Sequence, residues 1–206
     1  MKTWDDWFPV VMVHAPSAPD PLVRQALRLA SREFFRKTRA WVEWLDAEAT
    51  RTTASEEHDF DLPPNTDLLR IEKATADGRP IAVRSFRQRP ADWMRHGDGG
   101  DSAVISRDLV SFHIVGGVQA GVKIQIQASM IPTLNATGLP DHLANRFYEA
   151  ITEGAKATLL MTPGEFFKPE LAGLSQAMFT AAINTHAVDA YMGHTGDVPR
   201  ASPKWC

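Results

Sequence analysis

The sequence predicts an α+β fold: a discontinuous helical bundle, made of N-terminal and C-terminal helices, with an inserted antiparallel β domain and an extended C-terminal arm. Three observations predict it. Apolar residues recur at helical spacing towards both ends of the 206-residue chain, at period two through the middle, and with no period in the last stretch. The bundle is expected over 1–39 and 132–192, the β insertion over 40–131 and the arm over 193–206.

The elements follow in order. The apolar run from Trp7 to Val13 reads as a short helix; acids precede it and no convincing cleavage site follows, which argues against a signal peptide. In "APDPLVRQALRLASREFFRKT", Asp20 is expected at the N-cap and Pro21 at the first helical position. Val23, Ala26, Leu27, Ala30 and Phe34 share one face, and Arg36 and Lys37 complement the dipole at the far end. Strands are expected over 40–51 and from Leu68, Arg79, Asp108 and Gly121. The last is the clearest, with Val122, Ile124, Ile126, Ala128 and Met130 on one face and Lys123, Gln125, Gln127 and Ser129 on the other. Asp77-Gly78 is a tight hairpin signal. The segment "RPADWMRHGDGGDS" reads as a helical turn followed by a loop rich in Gly and Asp.

"LPDHLANRFYEAITEGAKATLLM" reads as one helix with a buried stripe of Leu139, Leu143, Phe147, Ile151, Ala155 and Leu159. Gly154 interrupts it, at a cost of about 1 kcal/mol relative to alanine. With Ala144, Ala157 and Thr158 it provides small surfaces where another backbone can approach closely, either the last helix of the same chain or a neighbouring subunit. Pro163, Gly164 and Pro169 break the chain, and a final helix over 169–192 follows, with Leu171, Leu174, Met178 and Ala182 on one side. The two helices are expected to pack antiparallel.

Residues that carry chemistry are sparse. The one cysteine, Cys206, excludes an intrachain disulfide and a Cys-rich zinc site. A net charge of −3 argues against a strongly basic nucleic-acid grip, and no run reaches the ~18 apolar residues of a membrane span. There is no phosphate-binding glycine loop, nucleophile elbow or zinc-protease motif. His14, His58, His96, His113, His142, His186 and His194 are scattered, and "HGDGGDS" lacks the acid spacing and terminal glutamate of a calcium loop. No enzyme, cofactor or metal is therefore expected.

Three features point instead to surfaces. Arg24, Arg28, Arg32 and Arg36 form a row at four-residue spacing that suits a solvated face or an acidic partner. Glu56, Glu57, Asp59 and Asp61 cluster in a presumed loop, solvated or placed to repel phosphates along a DNA passage. Of six tryptophans, Trp205 lies in the arm beside Lys204, where an aromatic suits a partner's pocket.

"VRQALRLASREFFRKTRAWVE", "LLRIEKATADGRPI" and "LPDHLANRFYEAITEGAKATLLMTPGEFFKPELAGLSQAMFTAAI" together cover most of the chain. In these blocks the sequence resembles the head-to-tail adaptor proteins of tailed bacteriophages, including the tail tubular protein A-like adaptors. The resemblance implies a structural virion protein at the head–tail interface, assembled in the host cytoplasm. It implies a ring of about twelve copies that joins the portal protein to a tail nozzle or tail-tube protein. Double-stranded DNA would pass through it without sequence-specific binding, and no membrane is involved. The arm, with Val198, Pro199, Arg200, Lys204 and Trp205, would bind the portal; the arginine row and Gly154 would serve interfaces; Glu56, Glu57, Asp59 and Asp61 would face the channel. A head-completion or tail-tube component is the alternative, and a small hydrolase a more distant one.

Overall fold

The computed structural model describes residues 1–48, 57–85, 102–115 and 121–192. The chain forms two units, one of Met1–Ala40 with the chain from Leu134 on, the other of Trp41–Thr133. The described helices lie in the first unit with one two-stranded sheet, and the seven-stranded sheet forms the second, an α+β arrangement.

The helical unit begins with a two-residue strand β1 (Lys2–Thr3), a 3₁₀ turn (Trp4–Trp7) and a short helix α1 (Phe8–Val11). Helix α2 (Asp20–Thr38) starts one residue earlier than the capping pattern suggests: Pro19 is the N-cap, and its carbonyl takes the first amides. Asp20 is therefore inside the first turn, where its charge still complements the dipole. The helix ends at Arg39, left-handed at φ 53°, whose N–H returns to the Phe35 carbonyl.

After the β unit, β9 (Gly138–Leu139) pairs antiparallel with β1. The expected single helix is two, α3 (Asp141–Arg146) and α4 (Tyr148–Leu160). They part at Phe147, whose φ of −110° and ψ of 16° leave the helical region. The kink accompanies its packing: the Phe147 ring is buried against Phe34, Phe35 and His186 at centroid distances of 4.9, 5.6 and 5.2 Å. Leu139 belongs to the strand but keeps its place in the buried stripe. Helix α5 (Pro169–Met192) then returns along α4 and also meets α2.

The side of α5 carrying Leu171, Leu174 and Met178 faces solvent. Its core face is Ala172, Ser175, Phe179 and Ile183, so the sequence pattern named the outer of two apolar sides. Phe34, Phe147 and Phe179 join the three long helices, and full burial of such a ring contributes about 1.5–3 kcal/mol.

The β unit is a seven-stranded sheet of β2 (Val42–Glu48), β3 (Glu57–Asp59), β4 (Thr66–Ala76), β5 (Arg79–Ser85), β6 (Ala103–Ser106), β7 (Ser111–Val115) and β8 (Lys123–Pro132). Its order is β2-β8-β4-β5-β6-β7-β3. Every neighbouring pair is antiparallel, as expected, except β5 and β6, which run parallel. Strand β6 also has no counterpart among the strands read from sequence; at four residues it is too short to show a period.

Asp77 and Gly78, at φ 46° and 75°, form the two-residue turn between β4 and β5, both in the left-handed region that such a turn demands. Ile124 and Ile126 are buried while Lys123 is exposed, as period two requires. Two register shifts in β4, between Leu68 and Arg70 and between Ile71 and Lys73, locally offset its pairing with β8. The "RPADWMRHGDGGDS" segment lies outside the described residues except for Ser102.

Candidate functional site

The arginine row is mostly engaged by its own unit. Arg24 forks onto Asp5, Nε to Oδ1 at 2.8 Å and a terminal nitrogen to Oδ2 at 3.2 Å, with the guanidinium over the Phe8 ring. That hydrogen bond holds the Asp5 carboxyl below the usual carboxylate range and raises Arg24 above its own. Arg28 Nε donates to the Ala136 carbonyl at 3.0 Å, an acceptor it shares with Trp4 Nε1 at 2.6 Å. Of the acids on α2, Glu33 is taken by Lys37 at 2.6 Å. Arg32 is half-buried and Arg36 is exposed near the helix end. The row ties the chain start and the Ala136 segment to α2, a role that sequence spacing alone cannot show.

Gly154 lies inside the helical unit rather than on a surface open to another subunit. A Cβ there would stand 2.8 Å from Phe179 Cε2 and 2.9 Å from the Ala30 Cβ, so α4 touches both α5 and α2 at this one residue. Only glycine permits that approach.

The acids divide. Glu56 lies outside the described residues. Glu57 and Asp59 are in edge strand β3 rather than a loop, paired with β7, and with Asp61 they are exposed. Period two explains the set: His58 and Phe60 alternate with them and pack on Phe112 at 5.2 and 4.9 Å. Glu57 Oε1 accepts the Ser111 hydroxyl at 2.6 Å. The arm residues Val198, Pro199, Arg200, Lys204 and Trp205 all lie outside the described residues.

Two features of the helical unit were missed from sequence. One is a polar cleft of about 600 Å³, lined by Lys2, Asp6, Arg146, Tyr148, Glu149 and His186 among others. Its Tyr148 ring stacks on Trp7 at 5.4 Å, and burial, then the Asp6 charge, raises the phenol above its ordinary range. Among its lining residues the Tyr148 phenol is the one hydroxyl, and no Ser, Thr or Cys is present. The other is the outer side of α5, which exposes Leu174, Met178 and Val188 at 60, 52 and 60%. A helix with apolar residues on two sides usually has both covered. That signal was present in the sequence, since Leu174 and Met178 alternate with Phe179 and Ile183 around the same turns. Among the described residues, no group of three or more His, Cys, Asp or Glu is placed to hold a metal, and no helix is long and apolar enough to cross a membrane.

The profile of the SU10 adaptor protein family matches residues 5–200, nearly the whole chain. The chain belongs to this family. The SU10 adaptor family is one of structural proteins of the phage virion that connect with portal and tail components. A search of curated proteins found no match to this adaptor.

Proposed function

We propose that this adaptor forms a ring of about twelve copies between the portal and the tail, in the manner of tail tubular protein A-like adaptors. Double-stranded DNA passes through the ring without being read. The observation that carries the reading is the family match over residues 5–200, joined by the three sequence blocks that resemble head-to-tail adaptors. The net charge of −3 supports it, because a passage for DNA should not retain phosphates. The exposed Glu57 and Asp59, on one side of an edge strand, and Asp61 just beyond its end are candidates for the channel wall.

Attachment to the portal is assigned to the arm over 193–206, through Val198, Pro199, Arg200, Lys204 and Trp205. Trp205 supplies the largest apolar area among them, and Arg200 and Lys204 suit acidic groups on the portal. Co-sedimentation of the purified chain with portal rings, followed by electron microscopy, tests both statements. The full chain should decorate each portal with a ring. A chain ending at Met192 should keep the same circular dichroism spectrum and lose attachment, and Trp205→Ala should weaken it by about 2 kcal/mol or more. Complete rings from the truncated chain would remove the arm from the mechanism, and no decoration by the full chain would remove the adaptor–portal reading.

A further inference from the structure

The unexplained feature of the helical unit is the outer side of α5. It runs from Leu171, at 43% exposure, through Leu174, Met178 and Val188 to Tyr191, which is 86% exposed. The strip lies opposite the face that α5 buries with Ala172, Phe179 and Ile183. Several of its positions fall at the alternating three- and four-residue steps of a helix seam, Leu171, Leu174, Met178, Ala181, Thr185 and Val188. The helix has 24 residues, no Lys or Arg, and acids only at Glu170 and Asp189, near its ends. Its His186 packs inward on Phe34 and Phe147, and Tyr191 near the end of the helix is its remaining titratable side chain. An ordinary solvated helix face carries charges along its length; this one does not.

We propose that the outer side of α5 is the contact between adjacent copies of this chain. The chemistry of the strip selects the occupant. Without charge it offers nothing to phosphates, lipid headgroups or a strongly charged protein, and it sets no like charges against each other when two copies of a protein with net charge −3 meet. Its size fits part of a subunit interface. Twenty-four residues make a strip about 36 Å long and about 10 Å wide, roughly half of the ~800 Å² that each partner gives to a standard interface. The inference rests on the ring reading, in which the arm is committed to the portal and each copy needs a separate surface for its neighbours.

The test places a photo-crosslinking amino acid at Met178 of the full chain, irradiates it alone at high concentration and on portal rings, and identifies the crosslinked peptides by mass spectrometry. Crosslinks to another copy of the same chain are expected in at least one arm. The double variant Leu174→Glu/Met178→Glu should weaken self-association by on the order of tenfold or more, because each charge would have to be buried in the contact. Its circular dichroism spectrum and melting temperature should be unchanged, since both side chains face solvent in the single chain. Self-crosslinks without portal binding would sustain the inference while sinking the portal reading. Crosslinks only to the portal or to a tail protein, a chain monomeric in both arms, or complete assembly by a folded double variant would each overturn the inference.

Discussion

Helices α4 and α5 are both built largely from alanine and larger apolar residues, yet one is enclosed and the other is not. Of the residues in α4, Ile151, Ala155, Leu159 and Leu160 are fully buried, and even Lys156 is 9% exposed, paired with Glu153 at 2.9 Å. In α5 only Ala172, Ser175, Phe179 and Ile183 are buried. Their glycines record the same contrast. A Cβ on Gly154 would collide with Phe179 and Ala30, whereas one on Gly173 would meet nothing within 4 Å. Apolar composition thus identifies a helix that wants covering, and only packing tells which side its own chain covers.

The sharpest break in that comparison uses two apolar side chains within two turns of α5. Phe179→Ala removes a ring that is 2% exposed and seated against Gly154, and should cost about 3–5 kcal/mol in urea denaturation. Leu174→Ala, at 60% exposure, should stay within about 0.5 kcal/mol of the parent at concentrations where the chain is monomeric. Similar losses for both would mean that α5 is enclosed on both sides in the single chain.

The glycines give a finer test. Gly154→Leu should overpack the α2–α4–α5 contact and cost about 1–3 kcal/mol. The two alanine variants should have opposite signs. Gly173→Ala gains helix propensity at no steric cost and should stabilise by about 0.5–1 kcal/mol. In Gly154→Ala the same gain meets a Cβ at 2.8 Å from a packed ring, so the melting temperature should fall. A rise for both would show that Phe179 yields freely.

The smallest effect concerns the chain start. Asp5 is depressed below its ordinary 3.8 by the Arg24 hydrogen bond, so its contribution is present above that value and is lost as pH falls through the lowered one. Between about pH 5 and pH 2 the melting temperature of the parent should fall slightly more than that of Asp5→Asn. Parallel curves would show that the fork contributes nothing measurable, as is common for exposed pairs.

The legible parts of the fold are those where one local rule decides. Period two placed Ile124 and Ile126 inside, the Asp77-Gly78 pair closed its hairpin, and the final helix was found at Pro169–Met192. What escaped depends on partners distant in sequence. Phe147 bends the α3–α4 segment to meet Phe34 and Phe35, β6 exists by pairing parallel to β5, and Arg24 and Arg28 find acceptors at Asp5 and Ala136. No spacing on α2 announces those acceptors. The candidate site was less legible than the fold, because a helix apolar on two sides does not say which side is left for another molecule.

The seam where β1 meets β9 bears on how the chain folds as it is made. Trp4 donates to the Ala136 carbonyl across 132 residues, and Lys2 pairs with Leu139. At a synthesis rate of about 5–20 residues per second, the acceptor for Trp4 is made about 7–26 s after Trp4 itself. During that interval Trp4, Trp7 and the apolar side of α2 have no native cover from α4 or α5, and by its end all the β-unit sequence has been made. The sheet can therefore settle first, and the helical unit closes last by drawing the two ends of its interrupted sequence together. Its slow, high-contact-order step belongs to the helices, the reverse of the usual order in which local helices lead and sheets follow.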